Sequence, residues 1–327
     1  MVRPAALRMG TAFPAAVWKE VFCLSRLYLV TGFLGAGKTT FLKNLVRCFP
    51  GQRLALIINE FGREGVDGAL LSDLGVTLAE IDNGSIFCAC RLEQFEDTLR
   101  DTLDQEPDVI LVEASGLSDP TSVGRILGQR EKFAGLTYAG AICLVDAARF
   151  HKVYATARVC KLQLAVADLI LINKTDLATT EQVARIREEV EAQRPGRPVY
   201  ETSFGALDPA WLFSMSPAGP DGLPSIHTRD ITLQKLTLTI GKGFTPASLE
   251  KFLAMFAEDT YRIKGFVPLS GQMYLSDCVG PLVRLEPWQG DAVNPGKLTV
   301  LFGNGLPARK SIETAISWYP ECEVTVE

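Results

Sequence analysis

Gly32-Phe33-Leu34-Gly35-Ala36-Gly37-Lys38-Thr39 follows the short apolar run Leu27-Tyr28-Leu29-Val30. It precedes Phe41, Leu42, Leu45, Val46 and Phe49, which recur at helical spacing until Pro50-Gly51 stops them. The octet fits G-x-x-x-x-G-K-[ST] in full, between a predicted strand and a predicted helix, which is the setting this loop requires. Its small residues let successive backbone N–H groups point at phosphate oxygens, and the helix N-terminus adds partial positive charge. Lys38 then reaches the β and γ phosphates, and Thr39 offers its hydroxyl to Mg²⁺. Gly32, Gly35, Ala36, Gly37, Lys38 and Thr39 are therefore expected to bind a nucleotide, with Lys38 also acting in catalysis.

Working outward, Leu54 to Ile58, Val76 to Ile81, Val109 to Val112, Ala141 to Val145 and Leu169 to Ile172 are further strand candidates. Leu92, Phe95, Leu99 and Leu103 mark one intervening helix, and Val183 to Val190 falls in another. Strands alternating with helices predict an α/β fold, a doubly wound and mostly parallel sheet, over residues 26–205. Pro209, Pro217, Gly219, Pro220, Gly222 and Pro224 predict a linker over 206–228. Beyond it, alternating Ile231, Leu233, Leu236, Leu238 and Ile240 predict a strand. Thr245-Pro246 caps a helix containing Leu249, Phe252, Leu253 and Phe256. Strands near Tyr261 to Leu269, Gln272 to Leu275, Leu282 to Glu286 and Leu298 to Phe302, with a last helix around Leu306 to Ile316, complete a second, smaller α+β domain over 229–327. Residues 1–25 read as a loose N-terminal extension; Arg3, Arg8, Lys19 and Glu20 interrupt any secretory apolar segment.

Asn173-Lys174-Thr175-Asp176 follows the strand Leu169 to Ile172, at a carboxyl end, where open α/β sheets bind ligands. The Asp176 carboxylate can accept from the two adjacent N–H groups on guanine's edge, a donor pair that adenine lacks, so the base is expected to be guanine. Glu113 closes the run Asp108-Val-Ile-Leu-Val-Glu113, and Gly116 allows backbone near the γ phosphate. An acid at that strand end can hold the Mg²⁺ shell, directly or through water, or orient the attacking water. Glu60, in Asn59-Glu60-Phe61-Gly62, is a second acid on the same rim; a solvated strand-end charge is the alternative to a functional role for each.

The chain's 327 residues carry a net charge of −5, so no general basic field attracts nucleic acid or anionic lipid, and neither is an expected partner. The longest charge-free stretch, Phe133 to Val145, is 13 residues, short of the roughly 20 needed to span a bilayer. Eight cysteines, of which only Cys88 and Cys90 lie close together, are too sparse for a disulfide scaffold and point to a reducing, cytoplasmic setting. His151 reads as a structural or surface residue, and with His227 the only other histidine, bulk metal storage is not expected.

Together these segments resemble the CobW-like family of P-loop GTPases, and the resemblance runs from about residue 25 onward. It rests on Gly32 to Thr40, Asn59 to Gly62, Glu113 to Pro120, Asn173 to Asp176 and Arg262-Ile-Lys-Gly265. It extends the expected nucleotide contacts through Thr40, and implies GTP hydrolysis used as a switch for delivering a metal or metallocofactor to a client protein, in the two-domain layout above. The family pattern Asn-Gly-Cys-x-Cys-Cys is altered here to Asn83-Gly84-Ser85-Ile86-Phe87-Cys88-Ala89-Cys90, so that only Cys88 matches a family cysteine. In an extended segment Cys88 and Cys90 face the same way and can share a soft metal, Zn²⁺ or Co²⁺, with Glu60 or a client residue completing the shell. The same spacing suits two small buried apolar residues or a redox-active pair. No Ras-like glutamine is evident, so intrinsic hydrolysis is expected to be slow, with acceleration by a partner or a second subunit of a homodimer. A GTP-gated assembly or reactivation factor for a corrinoid or other metalloenzyme is the competing reading; a small-molecule kinase ranks below both.

Overall fold

The computed structural model describes residues 24–59, 77–81, 92–122, 126–127, 132–133, 135–217, 233–290 and 292–327. Its first unit alternates β1 (Ser25–Gly32), α1 (Lys38–Val46), β2 (Leu54–Asn59), β3 (Thr77–Ile81), α2 (Leu92–Leu103), β4 (Val109–Glu113) and β5 (Leu136–Asp146). It continues through α3 (Phe150–Thr156), α4 (Arg158–Ala165), β6 (Leu169–Asn173), α5 (Thr180–Gln193) and β7 (Val199–Glu201). The seven strands form one sheet in the order β3-β2-β4-β1-β5-β6-β7, every pair parallel. Such a sheet is covered on both faces, which is why Val109–Glu113 and Leu169–Asn173 are buried at every position and are apolar up to the last residue of each.

Alternation along each strand sends side chains to two cores. Leu27 and Leu29 of β1 join Ile57, Ile110 and Val112 beneath Phe95 and Leu99 of α2. Tyr28 and Val30 join Leu56, Ile58 and Leu111 beneath Phe41, Leu42 and Leu45 of α1. Burying one such aliphatic side chain is worth about 1.5–3 kcal/mol, so the faces rather than helix propensity hold these helices down. From β1 the chain moves to β2 and β3 on one side, returns through β4, and crosses to β5 on the other. The strand order thus reverses at the carboxyl end of β1, where a doubly wound sheet opens a crevice.

The second unit comprises β8 (Leu233–Ile240), α6 (Pro246–Ala257), β9 (Arg262–Leu269), β10 (Gln272–Val279), β11 (Leu285–Pro287), β12 (Lys297–Gly303), α7 (Ala308–Ser317) and β13 (Val324–Val326). Its sheet runs β11-β10-β9-β12-β8-β13, antiparallel throughout, with Leu249, Phe252, Leu253 and Phe256 of α6 and Ile312 of α7 in its core. Thr245 starts α6 with a capping box shared with Ser248. The α/β sheet with a smaller α+β unit is therefore the architecture that the periodicity predicts.

Several local features differ from the expectations. α3, α4, β7 and β13 lack a readable pattern because each is two turns or three residues long, shorter than the window over which periodicity can be recognised. β11 begins at Leu285 rather than Leu282, since Val279 and Leu282 exchange backbone hydrogen bonds of 3.0 and 3.2 Å around Gly280 and close a tight turn first. Within the proline-rich stretch, Leu207, Trp211, Leu212 and Met215 pack against the α1 core, and Trp211 stacks on Tyr200 with centroids 4.5 Å apart.

The two units touch. The rings of Phe33 and Tyr261 meet edge to face at 4.9 Å, within a cluster that includes Leu34, Val153 and Leu301. The Tyr261 hydroxyl pairs with Thr156 Oγ1 at 2.7 Å, and Lys152 Nζ donates to the Glu258 carbonyl at 2.6 Å. Phe33 and Leu34 belong to the phosphate loop, so the second sheet is packed directly against it.

Candidate functional site

Between β1 and α1 the chain must turn sharply while keeping backbone free to face a ligand. Gly35 and Gly37 take φ of 75° and 95°, the left-handed region where side chains are strained. A Cβ at Gly37 would lie 2.5 Å from the Asn173 side-chain nitrogen, so the loop closes against β6 only because that side chain is missing. Lys38, 8% exposed, folds across the loop and donates to the Phe33 carbonyl at 3.3 Å.

A cavity of about 510 Å³ opens at this edge of the sheet. Gly35, Gly37, Lys38, Thr39 and Thr40 line it from the loop and α1, Glu113 and Gly116 from the end of β4, and Lys174 and Leu177 from the end of β6. All of these but Leu177 are expected site residues, and the fold brings them together across up to about 140 positions. Glu113 is 6% exposed. A Cβ on Gly116 would stand 2.6 Å from the Leu34 backbone nitrogen, so the β4 end approaches the phosphate loop as closely as only glycine permits.

Gly32, Ala36, Asn173 and Asp176 do not line that cavity. Ala36 is fully buried under the loop. Asn173, 1% exposed, is a strut: its Nδ2 donates to the Ala36 carbonyl at 2.8 Å and its Oδ1 accepts from the Gly205 N–H at 3.1 Å. Asp176 stands exposed beside the cavity, on the short 3-10 turn Thr175–Leu177 whose Leu177 lines it. Lys174 adopts φ 63° to start that turn and pairs with Asp146 Oδ2 at 2.8 Å. Glu60, Cys88 and Cys90 lie outside the described residues.

The sequence reading missed three supports. Asp146, at the end of β5, holds Lys174 in place. The loop 202–205 holds the turn, with the Thr202 carbonyl accepting from the Thr175 N–H at 3.2 Å and Ser203 Oγ accepting from the Asp176 N–H at 3.2 Å. Glu201-Thr202-Ser203 at the end of a three-residue strand was the available signal, too short to stand out. The third is the far wall of the cavity, formed by Arg262, Asp277, Val279, Pro281, Leu282 and Arg284 of the second sheet.

Thr39 and Glu113 supply hard oxygen donors at the phosphate end, a set that suits Mg²⁺. A softer metal finds no comparable place among the described residues, which contain no group of three or more His, Cys, Asp and Glu side chains. The described thiols are Cys48, Cys143, Cys160, Cys278 and Cys322, none of them in a disulfide. Burial pushes the Cys143 thiol up to about 12, against a smaller opposing pull from Lys38, which keeps it protonated and a poor ligand. His151 sits at the surface with Nδ1 3.1 Å from Glu189 Oε1. No helix among the described residues is long and apolar enough to cross a membrane.

Parallel sheet, phosphate loop and a β6-end Asn-Lys-x-Asp turn define a phosphate-loop nucleotide-binding protein of the GTPase class, with an antiparallel second unit attached. The family described as CobW/HypB/UreG, nucleotide-binding domain, matches residues 26–201, and the Cobalamin synthesis protein cobW C-terminal domain matches residues 233–316. The chain belongs to the CobW/HypB/UreG family.

Among its relatives, the zinc chaperone CobW of Sinorhizobium sp is 30% identical over 290 residues, covering 75% of this chain and 81% of the relative. The zinc chaperone YjiA of Escherichia coli K12 is 33% identical over 193 residues, 57% of this chain and 60% of its own length. The crystal structure of the Zn(II)-bound YjiA GTPase from E. coli aligns with a TM-score of 0.45 at 22% identity, covering 90% of this chain and 99% of that one.

Proposed function

We propose that this chain binds and slowly hydrolyses GTP, and uses the nucleotide as a switch for delivering a metal ion, zinc in the first instance, to a client metalloprotein in the cytoplasm. The observation that carries the reading is the convergence of Lys38, Thr39, Glu113, Gly116 and Lys174 on one cavity at the strand-order reversal. The kinship with proteins named zinc chaperones supports the metal half of it.

The chain's own residues supply binding and charge. Backbone N–H groups of the loop and the start of α1 face the phosphates, and Lys38 offsets charge on the β and γ groups. Gly116 lets the β4 end approach the terminal phosphate, and Glu113 orients the attacking water or, with Thr39, holds the cation. Mg²⁺, when bound, neutralises phosphate charge as hydrolysis proceeds. Gly32 and Ala36 shape the loop, Thr40 extends its helix end, and Asn173 fixes the loop against β6. Asp176 reads the guanine edge. Glu60, Cys88 and Cys90 hold the delivered Zn²⁺ or Co²⁺, and a partner or second copy of the chain accelerates turnover.

Calorimetry with Mg²⁺ and GTP tests the nucleotide half: Lys38→Ala abolishes binding, and Asp176→Asn shifts preference from guanosine toward xanthosine nucleotides. Unchanged GTP affinity in Lys38→Ala refutes the phosphate-loop assignment. Metal titration of anaerobically reduced protein tests the other half. Tight Zn²⁺ binding that depends on the nucleotide and is lost in Cys88→Ala and Cys90→Ala supports delivery, whereas no tight site favours a GTP-gated assembly factor.

A further inference from the structure

The far wall of the cavity belongs to the second sheet, and its charges are unevenly matched. Five cations line the space, Lys38, Arg149, Lys174, Arg262 and Arg284, against three carboxylates, Glu113, Asp146 and Asp277. Lys174 is paired with Asp146 at 2.8 Å. Arg262 is forked onto Asp277, Nε to Oδ1 and Nη2 to Oδ2, both at 3.0 Å. Arg149 is partly sunk beneath the turn that joins β10 to β11: a Cβ on Gly280 would meet its guanidinium at 2.6 Å, and its Nη1 is buried with no hydrogen-bond partner.

Arg284 differs from these. It stands exposed at the foot of β11 and makes no ion pair among the described residues, while its backbone carbonyl accepts from the Asp277 N–H at 3.1 Å. The backbone under it is therefore anchored, and Arg284 lines the same space as Lys38 and Thr39. The turn beside it, Val279 to Leu282, is seated on the phosphate loop, because Val279 occupies the position a Cβ on Gly35 would need. A planar donor fork with no ion pair among the described residues, carried on a fixed strand end across the cavity from a phosphate loop, suits phosphate oxygens better than any other group a nucleotide offers.

We infer that the nucleotide is held between the two sheets, with Arg284 of the second sheet donating to its phosphate oxygens. This rests on the cavity being the nucleotide site, and it gives the second unit a direct stake in what the phosphate loop holds. The nucleotide's charge strengthens the hold of the β10–β11 turn on the loop where it is already seated, and loss of that charge weakens it. The second unit then senses the nucleotide itself rather than a relay through the sheet.

The test uses the full chain with Mg²⁺ and fluorescent GDP and non-hydrolysable GTP analogues, measured over a range of salt. One charge-assisted hydrogen bond corresponds to about a tenfold change in affinity. Arg284→Ala is expected to bind one or both nucleotides about tenfold more weakly, Arg284→Glu more weakly still, and Arg284→Lys within about threefold of the parent. The parent's affinity should also fall more steeply with salt than that of Arg284→Ala. Parent-like affinity for both nucleotides in Arg284→Ala and Arg284→Glu overturns the inference. Lys38→Ala, run beside them, separates the two levels: if it abolishes binding while the Arg284 variants do not weaken it, only the inference fails. If Lys38→Ala also binds normally, the cavity is not the nucleotide site at all.

Discussion

Asn173→Ala is the most informative single change, because one buried amide ties three parts of the site together. Its Nδ2 holds the Ala36 carbonyl inside the phosphate loop at 2.8 Å, and its Oδ1 holds the Gly205 N–H of the loop after β7 at 3.1 Å. The side chain is 1% exposed, so water cannot replace it readily, and truncation leaves a buried backbone carbonyl and a buried N–H without partners. Each hydrogen bond contributes about 1 kcal/mol net, and each orphaned group costs about 1–3 kcal/mol if no water enters. Partial relaxation brings the sum to about 3 kcal/mol, a large part of the ~5–15 kcal/mol that holds a domain together.

For a unit of this size such a loss lowers the melting temperature by about 6–12 °C. Thermal denaturation of ligand-free protein, followed by circular dichroism, measures it directly. Asn44→Ala is the matched control: its Nδ2 donates to the Gly205 carbonyl at 2.7 Å from a half-buried position that water can reach once the side chain is cut back, and should cost about 1 kcal/mol. If Asn173→Ala melts within about 1 °C of the parent, or no lower than Asn44→Ala, the strut assigned to Asn173 is wrong.

Two further outcomes follow from burial and close approach. Burial raises the Cys143 thiol to about 12, so the folded state favours the protonated form; the stability this contributes is complete below the ordinary thiol value of 9.0 and is lost as pH rises from about 9 toward 12. Urea unfolding should therefore show a steeper alkaline decline in the parent than in Cys143→Ala, and rapid native-state labelling of Cys143 by iodoacetamide at pH 8 would contradict the assignment. Gly116→Ala places a methyl group 2.6 Å from the Leu34 backbone nitrogen and must push the β4 end off the phosphate loop. GTP affinity is expected to fall at least about tenfold with the circular dichroism spectrum unchanged, and parent-like affinity would show that the approach is not needed.

Much of the molecule is legible in its residue order because the signals are local. A strand running into Gly32 to Thr39 and then a 3.6-residue repeat is stated within about 25 residues. The left-handed φ values at Gly35 and Gly37 explain why those positions are glycine. The apolar runs of β4 and β6 declare a sheet covered on both faces, and Thr245-Pro246 declares a helix start, since capping and periodicity act over one turn. Elements of two turns or three residues, α3, α4, β7 and β13, carry too few positions to express a period.

What the residue order left undetermined are contacts whose partners lie far apart along the chain. Asp146 meets Lys174 across 28 positions, Asn173 meets Ala36 across 137, and Tyr261 meets Thr156 across 105. None leaves a mark in a local window, because each depends on the register of strands and on how two independently patterned sheets dock. Local patterns alone declare a phosphate loop opening a doubly wound sheet and a second α+β unit after it. That this unit turns the β10–β11 edge toward the loop and brings Arg284 to the cavity emerges from the docking of the two sheets, since a charged residue on an exposed strand end has the same local pattern whether it meets solvent or a shared site.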